Sequence, residues 1–151
     1  MKKTTTARRS PPDEVLAFML GSDEYGIDMQ RVQEIRGFAA FAQEAHDLDL
    51  DVGVANLRGI RVPIVDMRKR FSLGDAVFDD STSVIVLNID GRTVGVVVDG
   101  ISDVHRIDPG RVIPAPRARG GLKNDYLIGL GTFGPHSVTL LAIDEVLASA
   151  A

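Results

Sequence analysis

The chain predicts an all-β fold of small barrels with brief helices, built as two lobes. Three observations carry this reading. Short β-branched and apolar runs recur along the chain, Gly- and Pro-rich turns separate them, and the runs cluster before residue 71 and after residue 83. At 151 residues, with 44% apolar and 25% charged residues, the chain is large enough to bury a core.

Residues 1–12 hold Lys2, Lys3, Arg8 and Arg9 without an acid and read as a disordered basic tail. Order begins near Glu14. Residues 15–20 are continuously apolar, residues 21–24 form a turn, and Tyr25, Ile27 and Met29 alternate, which makes a hairpin. Asp28 then caps a short helix, with Met29, Val32 and Ile35 about one turn apart and Glu34 and Arg36 flanking them. Ala and Gln favour a helix over 39–46. Beyond it Leu48, Leu50, Val52 and Val54 alternate with Asp47, Asp49 and Asp51, the pattern of a strand with one acidic face.

Asn56-Leu57-Arg58-Gly59 is a turn, since glycine tolerates positive φ. Ile60, Val62, Ile64 and Val65 form the next strand, which Pro63 confines to a sheet edge or a bulge. Arg58 is thereby presented beside an apolar strand whose edge can be free. That suits gripping another protein, and it equally suits a plain surface arginine on a hairpin. Residues 72–81 are loop. Residues 84–89 and 94–98 are joined around Asp90-Gly91, the strongest short-range hairpin signal in the chain. Asp108-Pro109-Gly110 is a turn, and the stretch through Arg117 and Arg119 is extended. Residues 126–133 and 138–143 form a last hairpin around Gly134-Pro135, and Asp144 caps a C-terminal amphipathic helix through Ala148.

Composition removes several functions. Without cysteine there are no disulfides, zinc–thiolate sites or thiol chemistry. No apolar run approaches the ~18 residues of a membrane span, and the N-terminus lacks an apolar signal core, so a cytoplasmic protein is expected. Net charge is −4, and past residue 12 it is 13 basic against 21 acidic residues, or −8. An acidic body argues against nucleic acid as a partner.

The chemical motifs lack their required context. Gly129-Leu-Gly-Thr-Phe-Gly134 fits G-x-G-x-x-G, but a strand pattern rather than a helix follows it, so hairpin geometry explains the glycines better than pyrophosphate does. Asp47-x-Asp49-x-Asp51 opens like a calcium loop, yet its sixth and twelfth positions hold Val52 and Arg58 instead of Gly and Glu. His46, His105 and His136 lack metal-ligand spacing. No G-x-S-x-G elbow exposes Ser102 or Ser137 for a histidine base, and Asp99-Gly100 ends a strand unless the fold is α/β. The chain offers surfaces and no reaction centre.

Residues 24–28 (EYGID), 32–35 (VQEI), 56–66 (NLRGIRVPIVD) and 94–104 (VGVVVDGISDV), with 126–131 and the ending LLAIDEVL, resemble the bacterial chemotaxis coupling protein (CheW-like) family. The likeness runs over residues 14–148. It implies one CheW-like domain over 13–151, made of two SH3-like five-stranded β-barrels packed on a shared apolar interface, with a short C-terminal helix. It also implies no catalysis and no cofactor or metal. The implied role is an adaptor joining the hairpin tip of transmembrane chemoreceptors to the regulatory domain of the histidine kinase CheA in signalling arrays, without insertion into the membrane. Carried onto this sequence, the receptor-binding positions are Val32, Glu34, Gly53, Asn56, Arg58, Val98 and Ile101. Arg58 meets the tip through charge or carbonyl contacts, while Val32 and Ile101 supply apolar contact. The kinase-binding residues stay unassigned. Residues 38–52 depart from the family pattern: they lack proline, and Glu44, Asp47, Asp49 and Asp51 are expected to bring four acids close to Arg58. A CheW-like scaffold of another kinase pathway, such as surface motility, is the alternative; a small hydrolase built on His105 or His136 is a distant third.

Overall fold

The structure, a computed structural model, describes residues 10–73, 77–115 and 124–148. Two six-stranded sheets make up the body. The first runs in the order β10 (Val112–Ile113), β11 (Leu127–Phe133), β12 (His136–Leu141), β2 (Asp23–Asp28), β1 (Glu14–Leu20), β9 (Gly100–Arg106). The second runs β3 (Val32–Gly37), β7 (Ser83–Ile89), β8 (Arg92–Val98), β6 (Ile60–Asp66), β5 (Val54–Leu57), β4 (His46–Asp49). Three short helices complete it: α1 (Phe38–Glu44), α2 (Met67–Arg70) and α3 (Ile143–Leu147). The all-β architecture with brief helices is as expected; each sheet carries a short sixth strand, the two-residue β10 and the four-residue β4.

The lobes do not divide the chain at 71–83. The first hairpin, β1–β2, joins the last four strands, and the middle of the chain makes the other sheet. Parallel pairing closes each one, β12 on β2 and β6 on β8. Apolar alternation explains the packing. Leu16, Phe18 and Leu20 of β1 face Ile85, Leu87 and Ile89 of β7 in one shared core between the sheets. The intervening Val15 and Ala17 fill the interior of the first lobe, and Val84 and Val86 that of the second. Strands buried on both faces read as unbroken apolar runs.

Several local expectations change. Asp28 does cap a helical turn, its Oδ1 accepting from Gln30 N at 3.0 Å, but the turn is a 3-10 segment of three residues, Met29–Arg31. Val32 and Ile35 then lie on strand β3. Leu48 and Val54 fall on separate strands, with a turn between them that leaves Val52 exposed. Pro63 sits inside the sheet, since β6 is flanked by β5 and β8. Ile64 N donates toward β5, to Gly53 O, so the N–H that Pro63 lacks would point to the other side, just before the β8 ladder begins at Ile64. Beside Arg58, residues 60–63 pair with β5 alone, so over that stretch one side of β6 carries no ladder, as an edge or bulge proline requires. β8 ends at Val98, just before Asp99-Gly100, as read, but a further strand, β9, starts at Gly100. The helix α3 starts after Ala142 with no side-chain cap, placing Asp144 in its first turn. Arg117, Arg119 and residues 1–9 of the basic tail lie outside the described residues.

Gly129 of the G-x-G-x-x-G stretch sits where β11 meets β10. An added Cβ there would lie 2.7 Å from Val112 Cγ1 and 2.9 Å from Ile113 O. The second contact is backbone and cannot yield by a rotamer change. Gly129→Ala is expected to destabilise by about 1–3 kcal/mol, as overpacking does, read as a lower urea midpoint. An unchanged or raised midpoint contradicts this close approach.

The sheets are also tied by charge. The Arg68 guanidinium, in α2, donates from Nε and Nη2 to the two oxygens of Asp66 at 2.9 and 3.0 Å, and from Nη1 to Asp99 Oδ1 at 3.1 Å and Val77 O at 2.7 Å. Asp99 Oδ2 accepts from Gly21 N at 2.6 Å, in the β1–β2 turn of the other sheet. Burial works against the charge of Arg68, yet hydrogen bonds and charge from Asp66, then Asp99, hold its pKa above the ordinary arginine value. The ring of Phe78 lies 4.7 Å from the guanidinium carbon.

Candidate functional site

Two residues connect β5 and β6 in a tight hairpin. Leu57 pairs with Ile60, leaving Arg58 and Gly59 as the loop, with φ of 53° and 83°. Left-handed backbone at both central positions is a type I′ turn, whose twist matches the flanking strands. Glycine adopts it freely and arginine does not, so the turn needs support. Asn56 supplies it, its Oδ1 accepting from Gly59 N at 3.0 Å. The Arg58 side chain is consequently held out from the sheet with 60% of its surface exposed.

Beside it, Glu34, Leu57, Ile60, Val62, Val86 and Thr93 help line an open groove of about 230 Å³. Apolar floor and charged wall meet there. Two glutamates face Arg58. Glu34 Oε1 is 3.4 Å from its Nη2 and Glu44 Oε1 is 4.0 Å from its Nη1. A second arginine reaches the same carboxylates and holds Glu44 more closely than Arg58 does. Arg36 donates to Glu44 at 2.8 and 3.5 Å and lies 3.5 Å from Glu34.

Local structure brings this quartet together. Glu34 and Arg36 lie two apart on β3, so they share a face. Phe41, fully buried, pins α1 to the second core and delivers Glu44 from its last turn. A carboxylate at a helix C-terminus is disfavoured by the backbone dipole, and Arg36 offsets this. Its hydrogen bond is the largest influence on Glu44, holding the carboxyl below the ordinary glutamate value; partial burial opposes it, and the charges of Arg36 and then Arg58 add to it. The guanidinium of Arg36 is raised in turn, chiefly by Glu44.

Of the seven positions expected to bind receptor, the structure gathers Glu34, Asn56 and Arg58. Val32 and Ile101 sit half-buried on different sheets, both against the shared core. Val98 is fully buried within that core, so its side chain packs and offers no surface. Gly53 has a backbone role: at φ 81° its N donates to Asp49 O and its O accepts from Ile64 N, and an added Cβ would lie 3.0 Å from Ile64 O. The four-acid expectation around Arg58 is corrected too. Glu44 alone of the four is near it; Asp49 Oδ1 accepts from its own loop, at Asp51 N and Val52 N, and Asp51 lies 4.0 Å from Lys69.

Arg36 was not among the expected site residues. Reading 29–35 as helical placed it off the face of Glu34, whereas the period-two pattern of β3 puts the two side by side. The residues weighed for catalysis in the sequence lie apart, each with its own neighbour. His105 stacks on Phe133 with ring centroids 4.2 Å apart, His136 lies 3.6 Å from Glu24, and the Asp99 carboxylate is engaged by Gly21 and Arg68. Among the described residues no group of three or more His, Asp or Glu is placed to hold a metal ion.

The family model described as CheW-like domain matches residues 14–151. The chain belongs to the CheW-like family. It is 45% identical over 136 residues to Chemotaxis protein CheW of Klebsiella aerogenes, covering 90% of this chain and 82% of that protein. Protein FrzA of Myxococcus xanthus is 23% identical over 150 residues, covering 98% and 93%. In three dimensions the CheW-like chain resembles the crystal structure of scaffolding protein TtCheW from Thermoanaerobacter tengcongensis. That match has a TM-score of 0.73 at 22% identity and covers 90% of this chain and 92% of the other, a likeness of fold. The two-sheet body is thus the CheW architecture, and the Arg58 hairpin is a feature of its second sheet.

Proposed function

We propose that this chain is a non-catalytic chemotaxis adaptor that couples chemoreceptors to the histidine kinase CheA. The observation that carries it is the Arg58 hairpin, a supported type I′ turn presenting an exposed arginine beside a groove of mixed apolar and charged lining, in a chain 45% identical to a chemotaxis CheW. The partner at Arg58 is the receptor's cytoplasmic hairpin tip, and a separate surface takes the kinase regulatory domain. The adaptor works in the cytoplasm and joins membrane-associated arrays through the receptors. Among the described residues no helix is long and apolar enough to cross a membrane. Coupling requires that the adaptor's contacts differ between the receptor's two signalling states, because a contact equal in both shifts no equilibrium.

The test is a pull-down of the full chain with the CheA regulatory domain and a receptor cytoplasmic fragment. A ternary complex is expected, with kinase recovered on receptor only when the chain is present. Recovery of kinase and receptor only in separate, mutually exclusive complexes overturns the coupling role.

A further inference from the structure

Glu44 stands between two arginines, and the geometry favours the wrong one for binding. Its carboxylate makes two close contacts with Arg36, at 2.8 and 3.5 Å, and only a 4.0 Å approach to Arg58. Glu34 is likewise divided, 3.5 Å from Arg36 and 3.4 Å from Arg58. All four side chains are at least a quarter exposed, so none of these contacts is strong enough to be permanent. Arg58 therefore keeps unused donors directed at solvent.

We propose that Glu44 and Arg36 together set the affinity of Arg58 for its partner, Glu44 as an internal competitor and Arg36 as the residue that holds the competitor away. This rests on the reading of Arg58 as the receptor contact. The partner group is an oxygen acceptor, a carboxylate or carbonyl at the receptor tip, that must displace whatever the chain's own acids contribute. With Arg36 present the competition is reduced but not removed, because the same Glu44 Oε1 that Arg36 holds at 2.8 Å still lies 4.0 Å from Arg58. Without Arg36, both carboxylates are released toward Arg58, the nearest remaining cation of the quartet. The device is built on α1, whose buried Phe41 fixes where Glu44 emerges.

The experiment is co-sedimentation of the full chain with a receptor cytoplasmic fragment, for wild type, Glu44→Gln, Arg36→Gln and the double variant. Glu44→Gln is expected to tighten binding about two- to fivefold and Arg36→Gln to weaken it by a similar factor, the range of exposed ion pairs. The double variant should recover most of the loss, because Arg36 acts mainly through Glu44. All differences should shrink at 0.5 M salt, about where screening shortens to a few ångströms. Glu44→Gln that weakens binding or leaves it unchanged overturns the proposal, as does an equal Arg36→Gln effect with and without Glu44. Circular dichroism of each variant separates these outcomes from misfolding. Arg58→Glu serves as the control for the underlying reading: its retained binding removes Arg58 as the contact, whereas its loss beside an inert Glu44→Gln removes only the competition.

Discussion

Arg58→Glu is expected to abolish co-sedimentation with a receptor cytoplasmic fragment while leaving the far-ultraviolet circular dichroism of the chain unchanged. The side chain is 60% exposed and its nearest partners are 3.4 and 4.0 Å away, so folding depends little on it. The turn itself rests on Gly59 and on Asn56, which the substitution leaves in place. Binding is another matter. The new carboxylate would join Glu34 and Glu44 and present three acids to a partner that offers oxygen acceptors. Loss of one member of a desolvated charged contact costs about 2–5 kcal/mol, and reversal adds repulsion. That is about 30-fold at the least, enough to take a micromolar complex out of the range that sedimentation detects. In a reconstituted array the same variant should leave kinase activity unresponsive to attractant. Arg58→Lys keeps charge without the planar fork and should fall between the two. Receptor binding retained by Arg58→Glu sinks the assignment.

Arg68→Ala is expected to cost the most stability of any single change considered. Arg68 and Asp66 are 4% and 5% exposed and joined by a two-pronged contact. Removing the guanidinium leaves a buried carboxylate with only the α2 backbone N–H of residue 68 as partner, and strips Asp99 of the cation that holds it beside Gly21. Breaking a buried pair from one side typically costs about 3–5 kcal/mol, a third or more of the stability of an ordinary domain. Chemical denaturation measures it directly. Arg68→Lys should recover part of the loss, since it restores charge but not the fork. A loss under about 1 kcal/mol for Arg68→Ala means that the two sheets are held by their shared apolar core alone.

Much of this was legible in the sequence, for identifiable reasons. Asp90-Gly91 and Arg58-Gly59 both take left-handed backbone at their two central positions, and both turns are encoded by local chemistry alone. The unbroken apolar runs of β1 and β7 read correctly as strands because each strand buries both faces. The errors come where tertiary pairing decides. Residues 32–36 carry an apolar spacing that fits a helix, yet β7 offers a ladder partner and they extend against it. Pro63 argues for an edge, but one missing N–H is tolerated where a neighbouring ladder has not begun. The turn that presents Arg58 was recognisable from its own residues. The closeness of Arg36 to Glu34 was not, because it depends on the face the two share on β3. Val98 is buried by its place in the core common to both sheets, which its own spacing does not fix.

The interlacing of the sheets has a consequence for how the chain is made. Strands β3 to β8 are contiguous, so the second lobe can close as soon as Val98 has left the ribosome. The first lobe cannot: the hairpin ending at Asp28 pairs with His136–Leu141, far downstream of it. At roughly 5–20 residues per second the interval is on the order of ten seconds. In its later part, once Val98 has emerged, Leu16, Phe18 and Leu20 have the middle lobe to lie against before Tyr126 and Leu141 complete their core. The lobe that closes first thus becomes the surface on which the β1–β2 hairpin waits.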